Sequence, residues 1–300
     1  MNWTEKYRPK RLNDIIGQQK FVDDALSWVE RNDMPNICLY GPAGTGKTSA
    51  GLVLAREFLG NNFNNNFKEI NASQDRRLDT IRTTITNFAS WKSTNDVPFK
   101  ICLLDELDGM TKDSQRALKR TMERAQNVRF IITCNNEHNV EYPIRSRCAN
   151  YLFKSLTVDT MVDVLLYIGL NENYKVGEKD LKDFAETLNG DMRRAINELQ
   201  ACAFSNSNLK EKTKEFMNNY IEIIKALQAN LKGEANNLLL KEVYLGRNVQ
   251  EIANNLHHCV LEMDMNREDM FKNLSNIGEM EWRSKSMTPK ILVSWFVAQY

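Results

Sequence analysis

The run Gly41-Pro42-Ala43-Gly44-Thr45-Gly46-Lys47-Thr48 constrains this 300-residue chain more than any other feature. It fits G-x-x-x-x-G-K-[ST], follows the short apolar run Ile37-Cys38-Leu39-Tyr40, and opens a segment from Thr48 to Leu59 that reads as helix. Strand, glycine-rich loop and helix in that order form a phosphate cradle. Glycines let backbone N–H groups converge on phosphate oxygens, and the helix N-terminus adds partial positive charge. Lys47 would reach the terminal phosphates and the Thr48 hydroxyl would ligate Mg²⁺. A glycine-rich turn beside a lysine is the bland alternative, and the strand–loop–helix context argues against it.

A phosphate cradle hydrolyses nothing without carboxylates. Ile101-Cys102-Leu103-Leu104 reads as a buried strand that delivers Asp105 and Glu106 at its carboxyl end, where ligands sit in an open α/β sheet. Asp105 suits Mg²⁺ and Glu106 suits polarising an attacking water. Together with the upstream loop the pair reads as an ATPase site, with ATP and Mg²⁺ as its ligands. Asn135 ends the next apolar run, Phe130-Ile131-Ile132-Thr133-Cys134. It either orients that water or caps a turn.

Further strands are expected at Phe67–Ile70 and Asn150–Phe153, and the asparagine-rich stretch 61–66 reads as a loop or turn. Alternating strands and helices predict an α/β domain with a parallel sheet covered on both faces. After about residue 154 every periodic segment reads as helix: 159–170, 178–188, 192–204, 212–229, 235–244, 249–263 and 267–277. The expected division is 1–153, 154–206 and 207–300, with a hinge at 206–208.

Composition excludes several classes. Forty basic against thirty-nine acidic residues leave a net charge of +1, so no global field draws the chain to nucleic acid. Any DNA-binding surface must concentrate its basic residues. No apolar run approaches the length of a membrane span, and the start, Met1 to Lys6, has no signal-peptide core, so an intracellular soluble protein with no membrane partner is expected. Six scattered cysteines with no C-x-x-C pair argue against a thiolate zinc site and for buried free thiols.

At this point the residues carry a resemblance. Trp3-Thr4-Glu5-Lys6-Tyr7-Arg8-Pro9, then Leu12, Asp14 and Ile16-Gly17-Gln18, resemble the amino-terminal signature of AAA+ sliding-clamp loader subunits. These are the replication factor C small subunits and the ATPase subunits of T-even-type phage loaders. Asn71-Ala72-Ser73-Gln74-Asp75-Arg76 resembles their N-A-S-D-x-R segment, with Gln74 where that pattern has Asp. The stretch from Leu104 to Thr111 resembles their D-E-x-D box, Ser146-Arg147-Cys148 their S-R-C motif, and Gly190-Asp191-Met192-Arg193-Arg194-Ala195 their G-D-x-R-[RK]-A segment.

The resemblance implies an AAA+ domain, a helical lid and an all-α collar that oligomerises. It implies a DNA-dependent ATPase that opens a polymerase processivity clamp and closes it on primer–template DNA. Partners would be the sliding clamp and other loader subunits in a pentameric spiral. Thr4, Glu5, Lys6, Tyr7, Arg8 and Ile16 would flank the adenine, and Gly44, Thr45, Gly46, Lys47, Thr48 and Ser49 the phosphates. Arg193 would touch the γ-phosphate in cis, and Arg147 would be an arginine finger acting in trans. The stretch Thr86–Ser90 is similar to the phage subunits, and with a chain ending just past Trp295-Phe296 it points to a viral origin and a host cytoplasm; a eukaryotic cellular origin would mean the nucleus.

Lys112, Arg116, Arg120 and Arg124 recur every fourth residue and so drift along one helix face, suited to following a phosphate backbone. Arg76, Arg77 and Arg82 form a second basic group. The resemblance implies that both line the inside of the spiral; a solvated basic face is the alternative. Ile81, Ile85 and Phe88 share a helix face, which predicts core, although Phe88 or Trp91 could instead meet the clamp. A helicase loader or branch-migration motor shares the nucleotide loop but not the Glu5-to-Pro9 start combined with Ser146-Arg147-Cys148. A non-hydrolysing scaffold would not need Glu106.

Overall fold

The computed structural model describes residues 1–73, 78–90, 97–205, 207–284 and 286–300. Gln74, Arg76, Arg77, Trp91 and the hinge residue Asn206 lie outside the described residues.

Five strands, β1 (Ile37–Tyr40), β2 (Phe67–Asn71), β3 (Lys100–Asp105), β4 (Val128–Cys134) and β5 (Ala149–Leu152), form one sheet. Its order is β2-β3-β4-β1-β5 and every pairing is parallel. The longer helices of this part are α1 (Gln19–Arg31), α2 (Lys47–Leu59), α3 (Leu78–Ser90) and α4 (Lys112–Arg124), with single helical turns at Trp3–Lys6, Phe63–Asn66 and Tyr142–Arg145.

Strand side chains alternate between faces, and the two faces have separate cores. Ile37, Leu39, Ile101, Leu103 and Ile131 point to the side of α1 and α2, against Phe21, Val22, Ala50, Val53 and Leu54. Cys38, Cys102, Leu104, Phe130 and Ile132 point to the side of α3 and α4, against Ile81, Ile85, Phe88, Leu118 and Met122. This double burial is why the strands read as continuous apolar runs. It also decides the reading of Phe88, which is 9% exposed with the Lys100 ammonium 5.0 Å from its ring centroid. Phe88 is core, not a docking residue.

Register sets the site. Leu39 lies opposite Thr133, Tyr40 opposite Cys134, and Asn71 opposite Asp105. The carboxyl ends of β1, β2, β3 and β4 therefore finish together, and the loops after them meet at one edge of the sheet.

The remaining helices are α5 (Val158–Asn171), α6 (Glu178–Glu186), α7 (Met192–Ser205), α8 (Leu209–Gln228), α9 (Lys232–Tyr244), α10 (Val249–Glu262), α11 (Arg267–Arg283) and α12 (Pro289–Ala298). The chain divides into two compact units, Met1–Val164 with Gly190–Asn197, and Leu165–Asn189 with Glu198–Tyr300. The C-terminal bundle buries Tyr220, Ile224, Leu239, Leu256, Val260 and Phe296. Within it the Tyr220 hydroxyl donates to Glu242 Oε2 at 2.9 Å, and Arg247 is the carboxylate's ion-pair partner. A buried acid is tolerated because both partners are present.

Two segments depart from the sequence reading. Stretch 61–66 is not a plain loop: Gly60–Asn62 and Phe63–Asn66 form helical turns, with the Phe63 ring stacked 4.4 Å from Phe67. Helix α12 arises where the reading assigned no element; Pro289 opens it and Leu292, Val293, Phe296 and Val297 are buried. All six cysteines are free thiols, and only Cys148 is not fully buried. Among the described residues no helix is long and apolar enough to cross a membrane.

Candidate nucleotide site

The loop after β1 turns sharply. Gly41 and Gly44 have φ of 141° and 75°. A Cβ on Gly41 would strike the Phe153 carbonyl, and one on Gly44 would strike the Asp191 carboxylate. Only glycine allows both approaches.

Lys47, 7% exposed, starts α2 and folds back over the loop. Its Nζ donates to the Gly41 and Pro42 carbonyls, both at 2.7 Å, and to Asn135 Oδ1 at 3.2 Å. Burial pushes the Lys47 ammonium below its ordinary pKa, and the nearby Asp105 and Asp108 carboxylates act against that shift. Phosphate oxygens would displace the carbonyls as better partners for the charge. Asn135 is thus tied to the phosphate-binding lysine rather than left as a turn cap.

Asp105 ends β3 and collects two hydroxyls. Thr48 Oγ1 donates to Asp105 Oδ1 at 2.9 Å, and Thr133 Oγ1 donates to the same oxygen. Hard oxygens from a hydroxyl and a carboxylate at this spacing fit Mg²⁺. Glu106 follows with φ of 55°, a left-handed conformation unusual for a residue with a Cβ and typical of strain held at functional sites. Its N–H donates to Thr133 Oγ1 at 3.1 Å, and its carboxylate accepts from Ser73 Oγ at 2.6 Å. The Ser73 N–H in turn donates to Asn71 Oδ1 at 2.9 Å, and that amide oxygen also lies 2.7 Å from Ser73 Oγ, whose single proton the carboxylate takes.

Two neighbouring cavities result. The smaller, about 80 Å³, is lined by Lys47, Thr48, Asp105, Glu106 and Asn135 among others. The larger, about 370 Å³, is lined by Thr4, Glu5, Tyr7, Arg8, Ile16 and Thr45 among others. Gly44, Gly46, Ser49 and Arg193 line both. Arg8 Nε donates to Ser49 Oγ at 3.1 Å, which ties the amino-terminal segment to the start of α2. Arg193 arrives because Asp191 accepts the Arg194 N–H at 3.0 Å and so starts α7 beside Gly44. The division suits a nucleotide, with base and sugar in the larger cavity and terminal phosphate in the smaller.

Lys6 is not brought to these cavities; its ammonium lies over the Tyr7 ring, 5.3 Å from the centroid. Arg147 lines neither. Its NH1 donates to the Pro143 carbonyl at 2.6 Å and its NH2 pairs with Glu123 at 2.5 Å. Arg145 is held by the Val140 carbonyl at 3.1 Å and by Glu137 at 3.5 Å. Lys112, Arg116, Arg120 and Arg124 are exposed along α4, and Arg82 is exposed on α3. Arg116 is partly neutralised by Asp113 and Glu141, each at 3.3 Å.

A family model described as "ATPase family associated with various cellular activities (AAA)" matches residues 37–156. The replication factor C small subunit of Haloarcula marismortui is 36% identical over 292 residues, 94% of this chain and 89% of its own length. The chain belongs to the replication factor C small-subunit family. The small subunit of Saccharolobus solfataricus is 43% identical over 202 residues, 67% of this chain and 61% of its own. The Holliday junction branch migration motor RuvB of Thermotoga maritima matches in structure with a TM-score of 0.59 over 83% of this chain and 85% of its own, at 17% identity. That likeness shows the AAA+ fold alone. As a member of the replication factor C small-subunit family the chain is an ATP-hydrolysing clamp-loader subunit acting in DNA replication, as the sequence motifs imply.

The sequence reading places Asn71, Ser73 and Asp108 in family motifs and Thr133 in a strand but gives none of them a role at the site; Asp108 Oδ2 accepts the Asn135 and Asn136 N–H groups at 3.0 and 3.3 Å. Thr133 had a legible signal, a lone hydroxyl among apolar residues near the end of β4. Thr133→Val is expected to cost about 1–3 kcal/mol, because it leaves the Glu106 N–H unpaired and strips a donor from Asp105. Urea denaturation measures the loss, and an unchanged midpoint would show that water replaces the hydroxyl.

Proposed function

We propose that ATP bound in the two cavities orders several copies of this chain, with a different subunit, into a pentameric spiral that holds an open clamp. The observation that carries the reading is the convergence of Lys47, Thr48, Asp105, Glu106, Asn135 and Arg193 around one small cavity. In this reading the functional parts are 1–153 for nucleotide, 154–206 as lid and 207–300 as collar.

Glu106 is the base that takes a proton from the attacking water, and Lys47 neutralises charge on the transferred phosphoryl group. Asn135 and Arg193 orient the phosphate end, and Tyr7, Arg8 and Ile16 with Thr4 and Glu5 enclose the base. Thr48 and Asp105 would hold Mg²⁺, which when bound supplies Lewis-acid neutralisation of the phosphate oxygens. Arg147 completes the neighbouring subunit's site. Loss of the γ-phosphate removes that bridge, so the spiral loosens and the clamp closes, a population shift driven by differential contacts.

The exposed α4 stripe of Lys112, Arg116, Arg120 and Arg124, with Arg82 on α3, supports tracking of duplex phosphates. Arg76 and Arg77 belong to this surface in the sequence reading. ATP turnover by the assembly is measured with and without primer–template DNA and a clamp, and the two are expected to stimulate synergistically. Removing Lys112, Arg120 and Arg124 together should flatten the slope of log affinity against log salt by about 0.9 per lost phosphate contact. Turnover indifferent to the clamp, yet raised by branched DNA, would favour a branch-migration motor instead.

A further inference from the structure

Three side chains converge inside the helical unit, far along the sequence from the nucleotide loop. His258 and Glu262 are one turn apart on α10, and Glu186 is the last residue of α6. Their candidate ligand atoms, a ring nitrogen and two carboxylate oxygens, all lie within 4.8 Å of one another.

The spacing is informative. His258 Nε2 is 3.7 Å from Glu186 Oε2 and 3.6 Å from Glu262 Oε1. Both separations are too long for an N–H···O hydrogen bond. They are close to a tetrahedral edge, since two ligands each about 2.0–2.1 Å from a zinc ion sit about 3.4 Å apart. One imidazole and two carboxylates form a donor set for a borderline divalent cation, with water as fourth ligand.

Local packing presents the group. On α6, Leu181, Phe184 and Ala185 are buried and Leu188 follows as core, which holds the helix end and with it Glu186. On α10, Ile252, Leu256, Cys259 and Val260 are buried, so the row carrying His258 and Glu262 runs along the flank of that face. The His258 and Glu186 side chains are 28% and 32% exposed, and Glu262 is 65% exposed, so the cluster is open to solvent on one side. A cation can enter without unfolding.

We propose that Glu186, His258 and Glu262 form a Zn²⁺-class site that staples the end of α6 to α10. This site is independent of ATP chemistry and goes beyond the clamp-loader reading. A bound cation would fix the two helices to each other and stabilise the folded chain by mass action.

The test uses the full chain, stripped with a chelator and titrated with Zn²⁺ against a chromophoric competitor, with Mg²⁺ in excess to occupy hard-oxygen sites. One strong equivalent is expected. Changing even an outer partner of a metal ligand costs about 10–100-fold in affinity, so His258→Ala and Glu262→Gln should each weaken it at least about 10-fold. Zn²⁺ should raise the melting temperature of the native chain and not of either variant. Substituted Co²⁺ should give the strong visible bands of four-coordination, lost in both variants. Glu262 is exposed enough that its variant reads the site even if His258→Ala fails to fold. Equal Zn²⁺ affinity in native and variant chains, or no strong equivalent at all, overturns the proposal and leaves a polar cluster of His258 with two carboxylates.

Discussion

Replacing Glu106 with Gln is expected to lower steady-state ATP turnover about 10²- to 10⁴-fold, the usual worth of a positioned general base, while ATP still binds. The amide keeps the volume, and its oxygen can still accept from Ser73 Oγ, now 2.6 Å from the carboxylate. It cannot take a proton from water. Lys47, Thr48, Arg193 and the glycine loop are untouched, so nucleotide affinity is retained. Filter binding of labelled ATP beside single-turnover hydrolysis separates the two quantities. Unchanged hydrolysis would show that another group activates the water.

The same geometry adds a second arm. The carboxylate is held by Ser73, and Ser73 is itself held by Asn71 at the end of β2. The hydroxyl competes with an attacking water for the same carboxylate. Ser73→Ala should therefore raise turnover in the absence of DNA, and Glu106→Gln in the same chain should abolish the gain. This pair distinguishes a restraining contact from a structural one.

How much of this was legible depended on sequence distance. The nucleotide loop reads directly because its phosphate contacts come from consecutive backbone groups, and Asp105-Glu106 reads because an apolar strand delivers it. Alternation on β3 and β4 between two buried faces gave no amphipathic signal, yet the continuous apolar run was itself the mark of a doubly covered sheet. The partners of the catalytic pair were hidden. Thr133 is 28 positions from Asp105, and Ser73 is 33 from Glu106; only the parallel register joins them. Helix α12 was missed for a different reason. Ile291-Leu292-Val293 and Trp295-Phe296-Val297 form nearly unbroken apolar stretches whose period favours neither helix nor strand, and the start signal of Thr288-Pro289 was the better guide. Glu186 and His258 meet only through helix packing, so no spacing rule could pair them.

Arg147→Ala should reduce turnover of the assembled loader about 10³-fold or more, the range for loss of an arginine finger. Within the chain this guanidinium is bound to Glu123 and the Pro143 carbonyl, outside both nucleotide cavities. An effect of that size cannot come from a partly exposed ion pair, which contributes about 0–1 kcal/mol to folding. It would have to come from a neighbouring site. Arg145 serves as the control: its bonds to Val140 and Glu137 are internal, so its removal should affect stability more than chemistry. The decisive measurement mixes two inactive chains. An Arg147→Ala subunit retains its own Glu106, and a Glu106→Gln subunit retains Arg147. Where the second lies against the first, one complete site is rebuilt, so mixtures should recover turnover that neither chain has alone. Recovery in proportion to such mixed neighbours establishes the trans finger. A mixture as inactive as its components would place Arg147 in the structure of its own chain, with Glu123 as its lasting partner.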